Sequence, residues 1–238
     1  MNFLKIISNQ LNLLHKSFLS KKNYYSFSGV DVIIKSIFSK KKNGIYVDVG
    51  CQHPIKNNNT YLLYRKGWSG INVDLDQKNI ELFISARPKD FNVNIAISDK
   101  VGDADLFFYH DKSPINTINE NVKNFQKAQV QKIKKIQTTT LNNVIKESPF
   151  KNSQIDFLSI DVEGHELNVL RSFDFLRYKP KVIVVEFLDL TVNNLEIKNL
   201  DINKVLNSEI YSLLKDHNYT LVNSIYSDLV FIENNFRD

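Results

Sequence analysis

Two short stretches, residues 155–160 and 182–187, are nearly continuously apolar, and they narrow the accessible folds more than any other feature. A strand wetted on one face alternates apolar with polar residues, whereas these two read as strands buried on both faces, as the middle of a parallel sheet requires. Parallel neighbours need crossovers. β-rich runs at 45–49, 71–75 and 93–98 come earlier in the chain, and helical patterns at 77–85, 141–147, 166–173 and 202–217 intervene or follow, the second with Thr140 as its N-cap. Right-handed crossovers then make a doubly wound α/β sheet the expected fold. Near the C-terminus, 219–222 and 229–232 are separated by a short polar turn region, which predicts an antiparallel hairpin. Residues 110–137 are polar, rich in Lys and Gln and lack a strand signal, so they are expected as an inserted loop or helix at a sheet edge.

The chain has 238 residues, 42% of them hydrophobic, enough for one large domain with a small appendage and too apolar for general disorder. We divide it into a domain at 29–238 and an N-terminal segment at 1–28. In that segment Leu4, Ile7, Leu11, Leu14 and Phe18 follow a 3,4,3,4 spacing, which predicts an amphipathic helix over 2–20. Its expected partner is the body of the protein or a second subunit, with a membrane surface as the second reading. Asn9, Gln10, Asn12 and His15 interrupt the apolar stretch, so it does not read as a signal peptide. No apolar run approaches the roughly 18–20 residues of a membrane span. The single Cys51 excludes an intramolecular disulfide and a Cys-based zinc cage, and a cytoplasmic address fits best. A net charge of +5 is spread over small lysine clusters of the kind found on solvated surfaces.

The chemistry is concentrated after the first strand. Tyr46-Val47-Asp48-Val49-Gly50 runs from a strand into a glycine turn, where a residue without Cβ permits an unusual backbone conformation and close approach to a ligand. Ligands of doubly wound sheets bind at such strand ends. The next strand ends in Asp74, one βαβ unit later, where a carboxylate can accept both hydroxyls of a ribose. No second glycine follows in Cys51-Gln52-His53-Pro54-Ile55, which disfavours a dinucleotide pyrophosphate, and a phosphate-binding G-x-x-x-x-G-K-[ST] loop is absent. S-adenosylmethionine, with a ribose and no phosphate, suits one glycine turn and one acidic strand end.

With these pieces in hand, the sequence resembles the FkbM-type S-adenosylmethionine-dependent methyltransferases over roughly residues 24–190. The resembling blocks are Tyr46 to Gly50 with His53-Pro54, Asn59-Thr60-Tyr61, Gly67 to Asp74, Thr138 to Leu141, and Asp156 to Glu166, the last containing Asp161-Val162-Glu163-Gly164-His165-Glu166. The resemblance implies a class I methyltransferase fold, a mostly parallel seven-stranded sheet with an antiparallel last strand. It implies further that Asp48 and Gly50 lie beneath the methionine moiety, that Asp74 takes the ribose hydroxyls, that adenine lies near Ala96 and Ile97, and that Asp161, Glu163 and His165 face cofactor and acceptor. Many relatives carry Ser-Gln-Phe-Gly-Glu-Asp before the first strand. Here the segment reads Ser26-Phe27-Ser28-Gly29-Val30-Asp31, without the Gln and the Glu.

An alcohol acceptor must lose its proton, so a base is needed within hydrogen-bond reach. His165 and Asp161 are the first candidates, His53 and Glu186 the next. Helix-start carboxylates such as Asp161 and Glu163 also have a structural reading, as partners of a helix N-terminus. Asp161, Glu163, His165 and Glu186 are ligand types suited to a divalent ion, but spacing defines no ligand set and no metal site is assigned. Trp68, Tyr61 and Tyr64 read as core, and Cys51 as a small buried spacer. The expected activity is O-methyl transfer to a sugar hydroxyl of a glycan or to a related small metabolite, the acceptor class resting on the resemblance. A nucleic-acid methyltransferase is one alternative, opposed by the lack of an Asn/Asp-Pro-Pro-aromatic turn after residue 160 and of a basic-aromatic stripe. The other is a non-catalytic scaffold, suggested by the residues lost at Phe27 and Val30.

Overall fold

Four strands buried almost throughout on both faces form the centre of the molecule, shown here in a computed structural model that describes residues 23–111, 113–125, 129–192 and 197–237 together with Ile7 and Leu11. In chain order the strands are β1 (Ile45–Val49), β2 (Ser69–Asp74), β3 (Phe91–Asn94), β4 (Ala96–Ile97), β5 (Gly102–Phe108), β6 (Lys132–Thr139), β7 (Phe157–Ile160), β8 (Val182–Glu186), β9 (Tyr219–Ile225) and β10 (Asp228–Glu233). Seven of them form one sheet in the order β3-β2-β1-β7-β8-β10-β9. β1, β2, β3, β7 and β8 run parallel, and β10 is antiparallel to both of its neighbours. This is the expected doubly wound sheet with an antiparallel last strand.

Helices cover both faces. On one, α1 (Val30–Ile37) packs Val30 and Ile34 with Phe38 against Tyr46, Trp68, Phe157 and Val184. Trp68 is core, its ring 4.9 Å from that of Phe38. α2 (Tyr61–Tyr64) lies beside α1, and α3 (Gln77–Ala86) links β2 to β3. α4 (Glu120–Phe125) lies between β5 and β6. On the other face α5 (Leu141–Glu147), α6 (Glu166–Arg171), α7 (Ile202–Leu206) and α8 (Glu209–Asp216) bury Leu141, Val144, Val169, Leu170, Val205 and Leu214 against β1, β7 and β8. Thr140 caps α5 as expected, its Oγ1 accepting from the Asn143 amide at 3.2 Å.

The structure corrects three readings of the sequence. Residues 93–98 are not one strand: Ile95, Ala96 and Ile97 are apolar in succession, and the chain leaves the main sheet at Ile95 so that Ala96 and Ile97 are buried in a separate three-stranded sheet, β4-β6-β5. Residues 110–137 are not solely loop or helix, because β6 begins at Lys132. That strand is mostly solvent-facing and is held by its ladder to β5, from Gly102↔Thr138 to Phe108↔Lys132, so its own side chains carry little pattern. The helix expected over 202–217 is two, divided at Asn207 and Ser208, where Ser208 Oγ caps α8 by accepting from the Tyr211 amide.

Of the expected N-terminal helix only Ile7 and Leu11 are described, both helical and exposed; the rest of 2–20 lies outside the described residues. The segment entering α1 is tied to the body: the Tyr25 amide and Ser26 Oγ donate to Asp31, and Ser28 Oγ donates to Asp228 Oδ2 at 2.5 Å. No helix among the described residues is long and apolar enough to cross a membrane.

Candidate active site

The strand order reverses between β1 and β7, so the connections leaving these two neighbours diverge and leave a crevice at their C-terminal ends. Gly50 turns there with φ +80°. Its amide and that of Cys51 both donate to the Val73 carbonyl, at 2.8 and 3.1 Å. A Cβ at Gly50 would overlap the Asp161 carbonyl oxygen and lie 2.7 Å from its carbon. The glycine is thus required by the neighbouring strand end. The turn it permits points Gln52 and the chain after it around the rim of the crevice.

The resulting cleft encloses about 690 Å³, part of it open to solvent. Gly50, Asp74, Ala96, Ile97, Asp161, Glu163 and His165 all line it. Asp48 does not; its carboxylate turns inward, accepting from Thr60 Oγ1 at 2.8 Å and Asn58 Nδ2 at 3.1 Å. Burial raises the Asp48 pKa, and the Arg87 guanidinium opposes the shift.

Asp74 is held by the chain around it. Its Oδ2 accepts from the Gln52 amide and its Oδ1 from the Asp76 amide, each at 2.8 Å. Burial pushes its pKa up to about 6, against the lowering effect of those amides and of the Asn79 side chain. Beside it Ala96 and Ile97 form an apolar wall, each about 5% exposed or less.

The opposite end is acidic. Asp161 leaves β7 open to the cleft, Glu163 follows with φ +55° and Gly164 with φ +90°. This reversal is secured by Glu166, whose Oε1 accepts from the amides of Val162 at 3.0 Å and Gly164 at 2.9 Å. From the inserted segment, Thr117 Oγ1 donates to the Glu163 carbonyl at 2.8 Å and Asn119 Nδ2 donates to the Gly164 carbonyl. Asp161 and Glu163 come together with Glu186 from the end of β8, one carboxylate oxygen of each lying within 4.8 Å of the others. Among the described residues none of the three makes an ion pair. Desolvation raises the pKa values of all three; the charges of Asp228 and Glu166 add to it at Asp161 and that of Asp161 adds to it at Glu163 and Glu186, while a hydrogen bond with Glu186 favours the ionised Asp161.

His165 stands apart from this group. Its Nε2 lies 3.0 Å from Ser98 Oγ, just beyond β4, and burial lowers its pKa, so the ring is neutral at pH 7. His53 lies outside the lining and accepts the amides of Ile55 and Lys56 at Nδ1. Cys51 is buried, its thiol pushed up by desolvation.

Sequence reasoning missed Arg87, which is fully buried. Its guanidinium donates to Thr60 Oγ1, Asn58 Oδ1, the Pro54 carbonyl and the Tyr46 hydroxyl, and it packs under the rings of Tyr61, Tyr64 and Phe83. It therefore clamps the segment that returns from the Gly50 turn. No local pattern marks it, since all its partners but Phe83 are remote in sequence. Arg87→Met is expected to cost about 3–5 kcal/mol, because it leaves several acceptors and the Asp48 charge buried without their cation. Urea unfolding measures this; a loss under about 1 kcal/mol contradicts the assignment. Gln52, Asn79 and Asn116 also line the cleft and were not anticipated.

A family model described as the methyltransferase FkbM domain matches residues 48–221, from the β1 aspartate into β9. The chain belongs to the FkbM methyltransferase family. No curated protein matches it. Among solved structures, a TehB-like SAM-dependent methyltransferase from Corynebacterium glutamicum is similar at 11% identity and a TM-score of 0.43, over 98% of this chain and 100% of that one. Membership makes the FkbM domain a methyltransferase with S-adenosylmethionine as its donor. The cleft suits that donor chemically: it offers an apolar wall, a carboxylate oriented by two amides, and an acidic end for a cationic group.

Proposed function

We propose that this FkbM domain transfers a methyl group to a hydroxyl oxygen, on a sugar of a glycan or on a related small metabolite. The observation that carries the reading is the convergence of Asp161 and Glu163, which line the cleft, with the buried Glu186, in a cleft that also presents Asp74 and the Ala96–Ile97 wall. In this reading Ala96 and Ile97 receive the adenine, and His165 borders it through Ser98. The Asp74 carboxylate, directed by two amides and the Asn79 side chain, keeps lone-pair capacity for the ribose hydroxyls. Gly50 gives room for the methionine portion, above the Asp48 network. Bound there, S-adenosylmethionine supplies a methyl group on a sulfonium sulfur, which an incoming oxygen displaces to leave a neutral thioether.

Asp161 opens onto the cleft and takes the proton of the acceptor hydroxyl, and the acceptor-rich cluster it forms with Glu163 and Glu186 favours a cationic donor. Holding the acceptor oxygen in line at roughly 3 Å supplies most of the acceleration, and the base adds about 10²- to 10⁴-fold. The acceptor class follows the family resemblance.

The test has two stages. Calorimetric titration with S-adenosylhomocysteine is expected to give one site per chain, and methyl-labelled donor is then offered with a panel of methyl glycosides, nucleosides and oligonucleotides. Label on a glycoside oxygen is the expected result; label on a nucleic acid, or binding with no transfer to anything, overturns it. Asp74→Ala is expected to weaken S-adenosylhomocysteine roughly 10- to 100-fold, the worth of charge-assisted hydrogen bonds of about 1.5–3 kcal/mol. The carboxylate is the form that accepts from the ribose, so wild-type affinity is full well above the Asp74 pKa and falls as the pH drops through about 6. Affinity independent of pH between 5 and 8, or equal in wild type and variant, removes the ribose assignment.

A further inference from the structure

We propose that Asp161, Glu163 and Glu186 form a binding site for one divalent cation of the oxygen-preferring kind, such as Mg²⁺ or Mn²⁺. The inference deepens the O-methyl reading of the same cleft and rests on it only for the use made of the ion. Each of the three side chains offers one oxygen, and these oxygens lie within 4.8 Å of one another. Two oxygens bound to one ion can be no farther apart than twice the metal–oxygen bond, roughly 4.2–5.2 Å across Mg²⁺ and Ca²⁺. The 4.8 Å bound therefore fits a shell of Ca²⁺ size as it stands, and a small side-chain contraction brings it to the roughly 4.2 Å of Mg²⁺. Two of its members sit on adjoining strand ends, since Ile160 on β7 pairs with Val185 on β8, so their separation is set by the sheet.

A second observation is independent of this spacing. Glu186 is 9% exposed and its carboxyl lies within hydrogen-bond reach of that of Asp161, while its Oε2 is buried and accepts from no donor among the described residues. A buried carboxylate oxygen left without a donor is costly, and native structures seldom tolerate it unless an ion or water completes it. No lysine or arginine does so here among the described residues. Asp228 faces Glu186 across the β8–β10 ladder and adds to the negative surroundings. His165, an oxygen-site outsider by chemistry, is engaged with Ser98 and does not join the set. Three protein oxygens leave about half of a six-coordinate shell for water or for an acceptor hydroxyl arriving through the cleft. Because each side chain gives one oxygen, Asp161 keeps another for the proton.

The test uses the full chain without donor or acceptor. Mn²⁺ titration followed by electron paramagnetic resonance of the free ion, repeated with Mg²⁺ by calorimetry, is expected to show one site per chain, and Glu186→Gln is expected to weaken it at least about tenfold, as loss of a ligand does. Glu163→Gln provides the same readout if the buried variant does not fold. Absence of stoichiometric binding of either ion to folded wild type, or equal affinity in a folded variant, overturns the site. S-adenosylhomocysteine titrated into the metal-free protein separates the two readings: its failure to bind removes the donor site and leaves the ion site standing, whereas donor binding without metal binding does the reverse.

Discussion

Gly50→Ala is expected to leave little folded protein, or protein melting at least about 10 °C below wild type, given roughly 2–4 °C per kcal/mol for a domain of this size. Two penalties combine. A left-handed backbone costs a residue with Cβ about 1–2 kcal/mol, and Gly50 has φ +80°. The added carbon would also overlap the main chain of Asp161, which cannot yield as a flexible side chain does. Overpacking costs about 1–3 kcal/mol when side chains can adjust; here the obstacle is the end of β7, hydrogen-bonded to β1 through the Asp161 amide and the Val49 carbonyl at 2.9 Å. Against a total stability of about 5–15 kcal/mol the sum is severe. Gly67→Ala is the matched control, since Gly67 has φ +94° and nothing within 4 Å of the added carbon. It should lose only the conformational share, a few degrees. If thermal denaturation finds the two variants alike, the close approach of β1 to β7 is wrong.

Asp161→Asn is expected to lower the rate of methyl transfer by about 10²- to 10⁴-fold, the usual worth of a general base. The fold should survive. Asn has the same shape, and it removes a charge that desolvation and the nearby carboxylates make unfavourable. With a folded-state pKa raised above its unfolded value, Asp161 contributes its stability below the ordinary aspartate pKa and loses it as the pH rises toward 7. At neutral pH the variant should therefore melt no lower than wild type. His165→Asn is the comparison, because its neighbour Ser98 places it by the Ala96–Ile97 wall. That variant is expected to raise the Kd for S-adenosylhomocysteine with a smaller effect on turnover. Single-turnover rates distinguish the two; a larger rate loss in the histidine variant transfers the base role to His165.

The central strands were legible because both of their faces are buried, and the apolar runs at 155–160 and 182–187 follow from that alone. The places of Gly50 and Asp74 at the cleft were legible because strand ends are local features: a tight turn needs a residue without Cβ, and the crevice of such a sheet opens at its strand ends. Even so, the glycine serves a contact with Asp161 that no local pattern discloses. β6 stayed hidden because its register with β5, and not its own hydrophobicity, makes it a strand; Lys134 even lies with its ammonium 3.6 Å over the Phe108 ring. Arg87 stayed hidden for a related reason, its partners at Tyr46, Pro54, Asn58 and Thr60 meeting only after the sheet has formed. The inward turn of Asp48 follows from the same network.

β4 is only two residues long, yet it joins the solvent-facing β5–β6 ribbon to the wall of the cleft through Ala96↔Thr138 and Ile97↔Thr139. The same inserted segment grips the Glu163–Gly164 bend from the other side, through Thr117 and Asn119. One appendage thus touches both ends of the chamber. Its outer tip can change in length or composition without disturbing the central strands, while its inner edge holds the Ala96–Ile97 wall and the Glu163–Gly164 bend in fixed relation.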